Sequence, residues 1–204
     1  QREIIMIKIK DYFSEAQWQK FLSAAVEHET PFLLVDLSLI KQKFEEMVMY
    51  FPNAKIHYAM KANPGVPVIN LLRDLGSNFD CASIFELDRV FDSGVTPDRV
   101  SYGNTIKKAA HIKYAYDKGV RLYATDSKSD IQKIAENAPG SRVFVRILVE
   151  GGDTAEWPLS RKFGCHPDMA IDLLVNAKKL GLEPYGISFH VGSQQKDIAV
   201  WDDA

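Results

Sequence analysis

Ile56-His57-Tyr58-Ala59-Met60-Lys61-Ala62-Asn63-Pro64 opens as a run of β-branched and aromatic residues and closes in a polar turn stopped by proline. It is read as a short strand with a lysine at its carboxyl end. Similar runs follow at Asn78 to Ala82, Arg99 to Tyr102, Arg121 to Thr125, Arg142 to Leu148 and Tyr185 to Val191, and one precedes it at Phe32 to Val35. Between most of them lie segments with helical spacing, such as Val66, Ile69, Leu72 and Leu75, or Ile106, Ala110, Tyr114 and Ala115. Several of these segments end in glycine, at Gly76, Gly94, Gly119 and Gly181, where a helix exits most readily.

From Ile56 onward the strands recur roughly every 20 to 25 residues, the length of one strand-plus-helix unit. A wider gap near residues 149 to 183 predicts an extra loop. Alternating units with short connections make parallel strands, arranged either as an open doubly wound sheet or as a closed (β/α)8 barrel. Six units complete an open sheet and leave a barrel two short, so the count alone slightly favours the open sheet.

The segment before Pro31 reads differently. Ile4 to Ile9 alternates, and Ser14 to His28 carries Trp18, Phe21, Leu22 and Val26 at helical spacing, with Ser14 as its N-cap. At the other end, Trp201-Asp202-Asp203-Ala204 resembles the start of a helix without a stop signal, which predicts an artificial or proteolytic end.

Composition bounds the function. Among 204 residues, 46% are hydrophobic and 25% charged, and the formal charge is -2, which fits a soluble globular protein. No basic block is present to neutralise a phosphate backbone, so nucleic acid is not expected as a partner. Pro31 to Ile40, the longest apolar stretch, is interrupted by Asp36 and is far short of the roughly 20 residues a membrane span needs. Cys81 and Cys165 lack zinc-ligand spacing and give no disulfide framework, and the charged N-terminus is unlike a signal peptide, so a cytoplasmic location is predicted. No phosphate-binding glycine loop and no zinc-protease motif occurs, and no metal site is expected. His28, His57, His111 and His166 are scattered and read as surface or packing residues.

Lys61 is the first candidate for chemistry. In a barrel the carboxyl ends of the strands face the active site, and a lysine partly desolvated there supplies the neutral amine that condenses with an aldehyde. A solvated lysine at a strand end is the competing reading. His190 heads a glycine-containing turn where a backbone can approach a phosphate. Asp80 and Glu86 read equally as site carboxylates or as acids stabilised at a helix N-terminus. Arg146 falls inside the apolar run Val143 to Val149, where a charge needs a partner.

Tyr58-Ala59-Met60-Lys61-Ala62-Asn63 resembles the lysine motif of fold-type III pyridoxal-phosphate enzymes. Asn78-Phe79-Asp80-Cys81-Ala82-Ser83 with Glu86, and Ile187-Ser188-Phe189-His190-Val191-Gly192-Ser193, resemble two further motifs of that family in the same order and spacing. Trp157-Pro158-Leu159-Ser160-Arg161-Lys162-Phe163-Gly164 resembles a loop of the ornithine/lysine decarboxylases, particularly the bacterial kind. The resemblance covers roughly residues 31 to 204.

It implies a (β/α)8 barrel rather than the open sheet, here cut after about the sixth strand. Residues 1–35 would then belong to a second, β-rich domain, and residues 36–204 would form part of the barrel. It also implies pyridoxal 5'-phosphate held by Lys61, with His190 stacked on the ring, Ser193 bonding the phosphate, and Asp80, Arg146 and Glu86 nearby. Asp126 and Lys162 match positions of a homodimer interface. The implied reaction is α-decarboxylation of ornithine or lysine to putrescine or cadaverine, a step of polyamine synthesis. The remaining catalytic groups belong to family segments after residue 204, so little activity is expected of this chain alone. A non-catalytic regulatory homologue, a racemase of the same fold and a small single-barrel carrier of the cofactor are the rival readings.

Overall fold

A computed structural model describes residues 13–149, 163–193, 195 and 197–202. The chain divides into two units, Gln1–Leu39 and Ile40–Ala204.

In the first unit, helix α1 (Glu15–Val26) begins at the expected cap: Ser14 accepts the Gln17 N–H, and the Gln17 side chain returns the bond to the Ser14 backbone. Phe13 meets Phe21 edge to face, with ring centroids 5.0 Å apart. Phe32 to Val35 is not a strand. It runs as irregular backbone with no ladder partner among the described residues. The alternating Ile4 to Ile9 stretch lies outside the described residues.

Helix α2 (Leu37–Tyr50) leads into the second unit and buries no residue fully, although Ile40 and Phe44 lean on the core there. Six strands then alternate with helices: β1 (His57–Ala59), α3 (Val66–Asp74), β2 (Asn78–Cys81), α4 (Ile84–Asp92), β3 (Val100–Tyr102), α5 (Ala109–Asp117), β4 (Leu122–Thr125), α6 (Lys128–Asn137), β5 (Arg142–Arg146), α7 (Pro167–Lys179) and β6 (Glu183–Ser188). The strands are parallel and lie side by side in sequence order.

Strand periodicity gives the sheet two faces. Phe79, Cys81, Tyr102, Tyr123, Val143 and Val145 are buried with Ile69, Leu72, Leu87, Val90, Ile112, Ile131, Ile134 and Leu173 of the helices, and this layer is the core. Asp80, Ser101, Ala124, Phe144 and Arg146 alternate with them and line the opposite face. Serine caps start two helices of this unit: Ser83 accepts the Glu86 N–H and Ser127 the Asp130 N–H. Gly76 and Gly119, with φ of 88° and 98°, end α3 and α5 in the left-handed conformation. Ile106 departs from the expected helical stripe. It is 70% exposed in the loop before α5, whose buried residues are Ile112 and Ala115.

No described helix is long and apolar enough to cross a membrane.

Candidate active site

Lys61 follows β1 by two residues and is exposed, but its neighbours are fixed. Met60 before it is fully buried and donates its N–H to the Asp80 carbonyl at 3.0 Å. After it, the Tyr58 hydroxyl donates to the Asn63 carbonyl, and Asn63 Oδ1 accepts the Gly65 N–H, so the turn is closed on both sides. The lysine therefore leaves the strand end in a defined direction.

A cleft of about 420 Å³ opens there, walled by Lys61, Asp80, Glu86, Asn104, Arg146 and His190 among others. Its volume lies within the range of small-molecule sites. A second cleft of about 530 Å³ runs along the inner face of the sheet past His57, Ser101 and Phe144, and shares Asp80, Arg146 and His190 with the first.

Each polar residue in the wall has identifiable surroundings. Burial pushes the Asp80 carboxyl above the usual carboxylate range, opposed by a hydrogen bond from Ser101 and by the charges of Lys61 and Arg146. Glu86 Oε2 accepts the Ala82 N–H at 2.6 Å, while its own N–H goes to Ser83 at the start of α4. Glu86 stands in the first turn of α4, at the helix N-terminus, and lines the cleft as well. His190 Nδ1 accepts the Gly192 N–H at 2.9 Å, which puts the ring proton of the neutral form on Nε2. Burial, and then Arg146 and Lys61, hold its pKa below the usual imidazole value. Burial also weakens the proton affinity of Arg146, whereas Asp126 and Asp80 favour its charge, and its guanidinium lies 5.3 Å from the Phe163 ring centroid.

Ser193, three residues past His190, is half-buried and is not in the wall of either cleft. Asp126 accepts the Gly164 N–H at 2.9 Å, tying the turn after β4 to the loop after β5. Lys162 and the Trp157 to Arg161 part of that loop lie outside the described residues.

Three features escaped the sequence reading. His57 is neither a surface nor a plain packing residue: it stands in the wall of the inner cleft, 3.4 Å from Ser101 Oγ. Gly103 faces Asp80 where any side chain would collide with it. Lys107, with Asp130, forms a buried ion pair behind the cleft loop. Strand alternation carried outward from Asp80 to its neighbour on β3 would have identified Ser101, and hence its contact with His57. Among the described residues no cluster of acids, histidines or cysteines is arranged to hold a metal ion.

The cleft thus brings a lysine at a strand's carboxyl end together with carboxylates, an arginine and a histidine, and a lysine amine is a group that can condense with an aldehyde. Residues 37–204 match the family model of the pyridoxal-binding domain of pyridoxal-dependent decarboxylases, and the chain belongs to that family. Its cofactor is pyridoxal phosphate. The chain is 41% identical over 170 residues to ornithine decarboxylase of Saccharomyces cerevisiae, covering 83% of this chain and 36% of the relative. It is 40% identical over 175 residues to lysine/ornithine decarboxylase of Selenomonas ruminantium, covering 86% of this chain and 44% of the relative. Fungal and bacterial relatives thus match equally well. A solved structure of an SrLDC mutant in complex with PLP superposes with a TM-score of 0.84 at 38% identity, over 93% of this chain and 48% of that one. The chain therefore spans less than half the length of these relatives.

Proposed function

We propose that this chain is the cofactor-carrying part of a pyridoxal-phosphate-dependent decarboxylase acting on ornithine, lysine or both, with putrescine and cadaverine as products. The observation that carries the reading is the convergence of Lys61, Asp80, Glu86, Arg146 and His190 on one cleft at the ends of β1, β2, β5 and β6. The Trp157 to Gly164 loop supports the bacterial branch of the family and the choice of ornithine or lysine.

The donor set suits the cofactor. Lys61 supplies the amine that condenses with its aldehyde, and Arg146 supplies positive charge toward a phosphate. His190, neutral with Nδ1 tied to the Gly192 N–H, offers a flat face at fixed orientation. When bound, the pyridinium ring delocalises the electron pair left by loss of CO2. The chain's own work is to orient the substrate's carboxylate for departure and to keep water from the cleft.

On this reading the six strands are part of a (β/α)8 barrel, residues 1–35 belong to a second β-rich domain and residues 36–204 to the barrel. The working protein is a cytoplasmic homodimer with Asp126 and Lys162 near the subunit contact. The remaining groups come from chain outside these residues, in keeping with the relatives' greater length. Release of labelled CO2 from ornithine and lysine by the full-length protein tests this: turnover of one or both is expected. Binding of pyridoxal phosphate without turnover of either substrate would instead support the racemase, and failure to bind it the non-catalytic homologue.

A further inference from the structure

Asp80 is seated from two sides. The register of β2 and β3 sets Ser101 opposite Asp80, and Ser101 Oγ donates to Asp80 Oδ1 at 2.6 Å, the short length of a bond to a charged acceptor. Two residues further on, a Cβ at Gly103 would stand 2.1 Å from Oδ1 and 2.3 Å from Oδ2 of the same carboxylate. The absence of a side chain at Gly103 therefore makes the space that Asp80 occupies. His57 Nδ1 lies 3.4 Å from Ser101 Oγ on the other side. The hydroxyl's single proton is given to Asp80, so the imidazole nitrogen is the donor in that weaker pair. The described residues give Oδ2 no hydrogen bond, so one oxygen is held by the protein and the other is left to the cleft that Lys61 lines.

We infer that Ser101 is a positioning residue which, with the bare backbone at Gly103, holds Asp80 ionised and in one rotamer, and so sets how tightly and over what pH range the cleft holds pyridoxal phosphate. The inference rests on the proposed role of Lys61 and Asp80 in the cofactor site.

The charges that face Asp80 give the sign of the effect. Lys61 past β1 and Arg146 on β5 favour its ionised form, Glu86 on α4 opposes it, and burial opposes it most. His57 from β1 and His190 past β6 stand in the same inner cleft and are both held toward the neutral state by burial. Without the Ser101 bond, burial is less opposed, and Asp80 takes up its proton at higher pH.

The test uses the full-length protein and measures the dissociation constant of pyridoxal phosphate by visible absorbance across pH. Ser101→Ala removes one oxygen, and Ser101→Thr keeps the hydroxyl. At neutral pH Ser101→Ala is expected to weaken binding roughly tenfold, the order of one lost hydrogen bond to a charged group. The acidic edge of binding moves to higher pH in the same variant, and Ser101→Thr restores both. A Ser101→Ala protein with the wild-type constant and wild-type edge overturns the inference. Should Ser101→Ala not fold, as judged by circular dichroism, Gly103→Ala displaces the same carboxylate from the other side; unchanged binding in that variant overturns the inference equally. Failure of the wild-type protein to bind pyridoxal phosphate is a separate result that removes the reading of Lys61 itself.

Discussion

Lys107 Nζ lies 2.8 Å from Asp130 Oδ2 with both side chains shut off from water, and its two other hydrogen bonds go to the carbonyls of Asn104 and Ala124. The pair thereby ties the loop after β3, which carries Asn104 into the cleft wall, to β4 and to α6. Lys133 completes the knot by donating to the Lys107 carbonyl and standing 3.3 Å from Asp130 Oδ1.

Removing Lys107 leaves the buried Asp130 carboxylate with only the partly exposed Lys133 as a counter-charge. Lys107→Ala is expected to cost about 3–5 kcal/mol in unfolding free energy, read as a drop in urea midpoint. The double replacement Lys107→Met with Asp130→Leu should recover most of that loss, because it removes both charges and keeps the volume. Equal losses in the single and double variants would refute this account of the pair.

Asp80 carries a stability cost at neutral pH. Its folded pKa is raised chiefly by burial, so its contribution is most favourable below the unfolded value and is lost as pH rises through the folded value. Asp80→Asn keeps an acceptor for Ser101 without the charge. The variant should melt higher than wild type at pH 7, with the gain vanishing toward acid, and should bind pyridoxal phosphate more weakly. A lower melting temperature at pH 7 would show that the carboxylate is stabilised in place.

The opposite sign holds for His190. Burial keeps it neutral, and its Nδ1 accepts from Gly192, so as pH falls the unfolded chain takes up the proton first. The stability it contributes is complete above the ordinary imidazole value of about 6.5 and is lost as pH falls through its lower folded value. His57 is shifted in the same direction. Urea midpoints followed from pH 8 to pH 5 should fall less steeply in His190→Gln than in wild type, and parallel curves would rule the linkage out.

Gly164 has φ of +102°, and a Cβ there would come within 2.8 Å of the Ile147 carbonyl. Its N–H also bonds Asp126. Gly164→Ala should therefore destabilise by about 1–3 kcal/mol through backbone strain and collision, as measured by thermal melting, whereas a neutral result would mean that the loop end relaxes freely.

The six strands from Ile56 onward were readable because β-branched runs punctuated by glycine recur at one spacing, and Lys61, Asp80, Arg146 and His190 were readable because they stand at strand ends in recognisable motifs. Phe32 to Val35 misled because its composition is that of a strand, while a strand also requires a neighbour, which composition cannot supply. Ile106 misled for a related reason: its spacing fits a helix that begins three residues later. Ser101, Gly103 and His57 were invisible as a group, because their meaning comes from β1, β2 and β3 lying side by side, and a serine, a glycine and a histidine spread over residues 57 to 103 carry no motif. The Lys107–Asp130 pair was hidden likewise, since nothing in Ile106-Lys107-Lys108 marks which lysine turns inward.

In the proposed function Lys61 is the residue that carries the cofactor. The full-length protein, loaded with pyridoxal phosphate, reduced with borohydride and digested, should yield one pyridoxyl-labelled peptide containing Tyr58-Ala59-Met60-Lys61-Ala62-Asn63 with the label on Lys61, and Lys61→Ala should yield none. A label on another lysine, or a protein that stays colourless and unlabelled with added pyridoxal phosphate, would contradict the account.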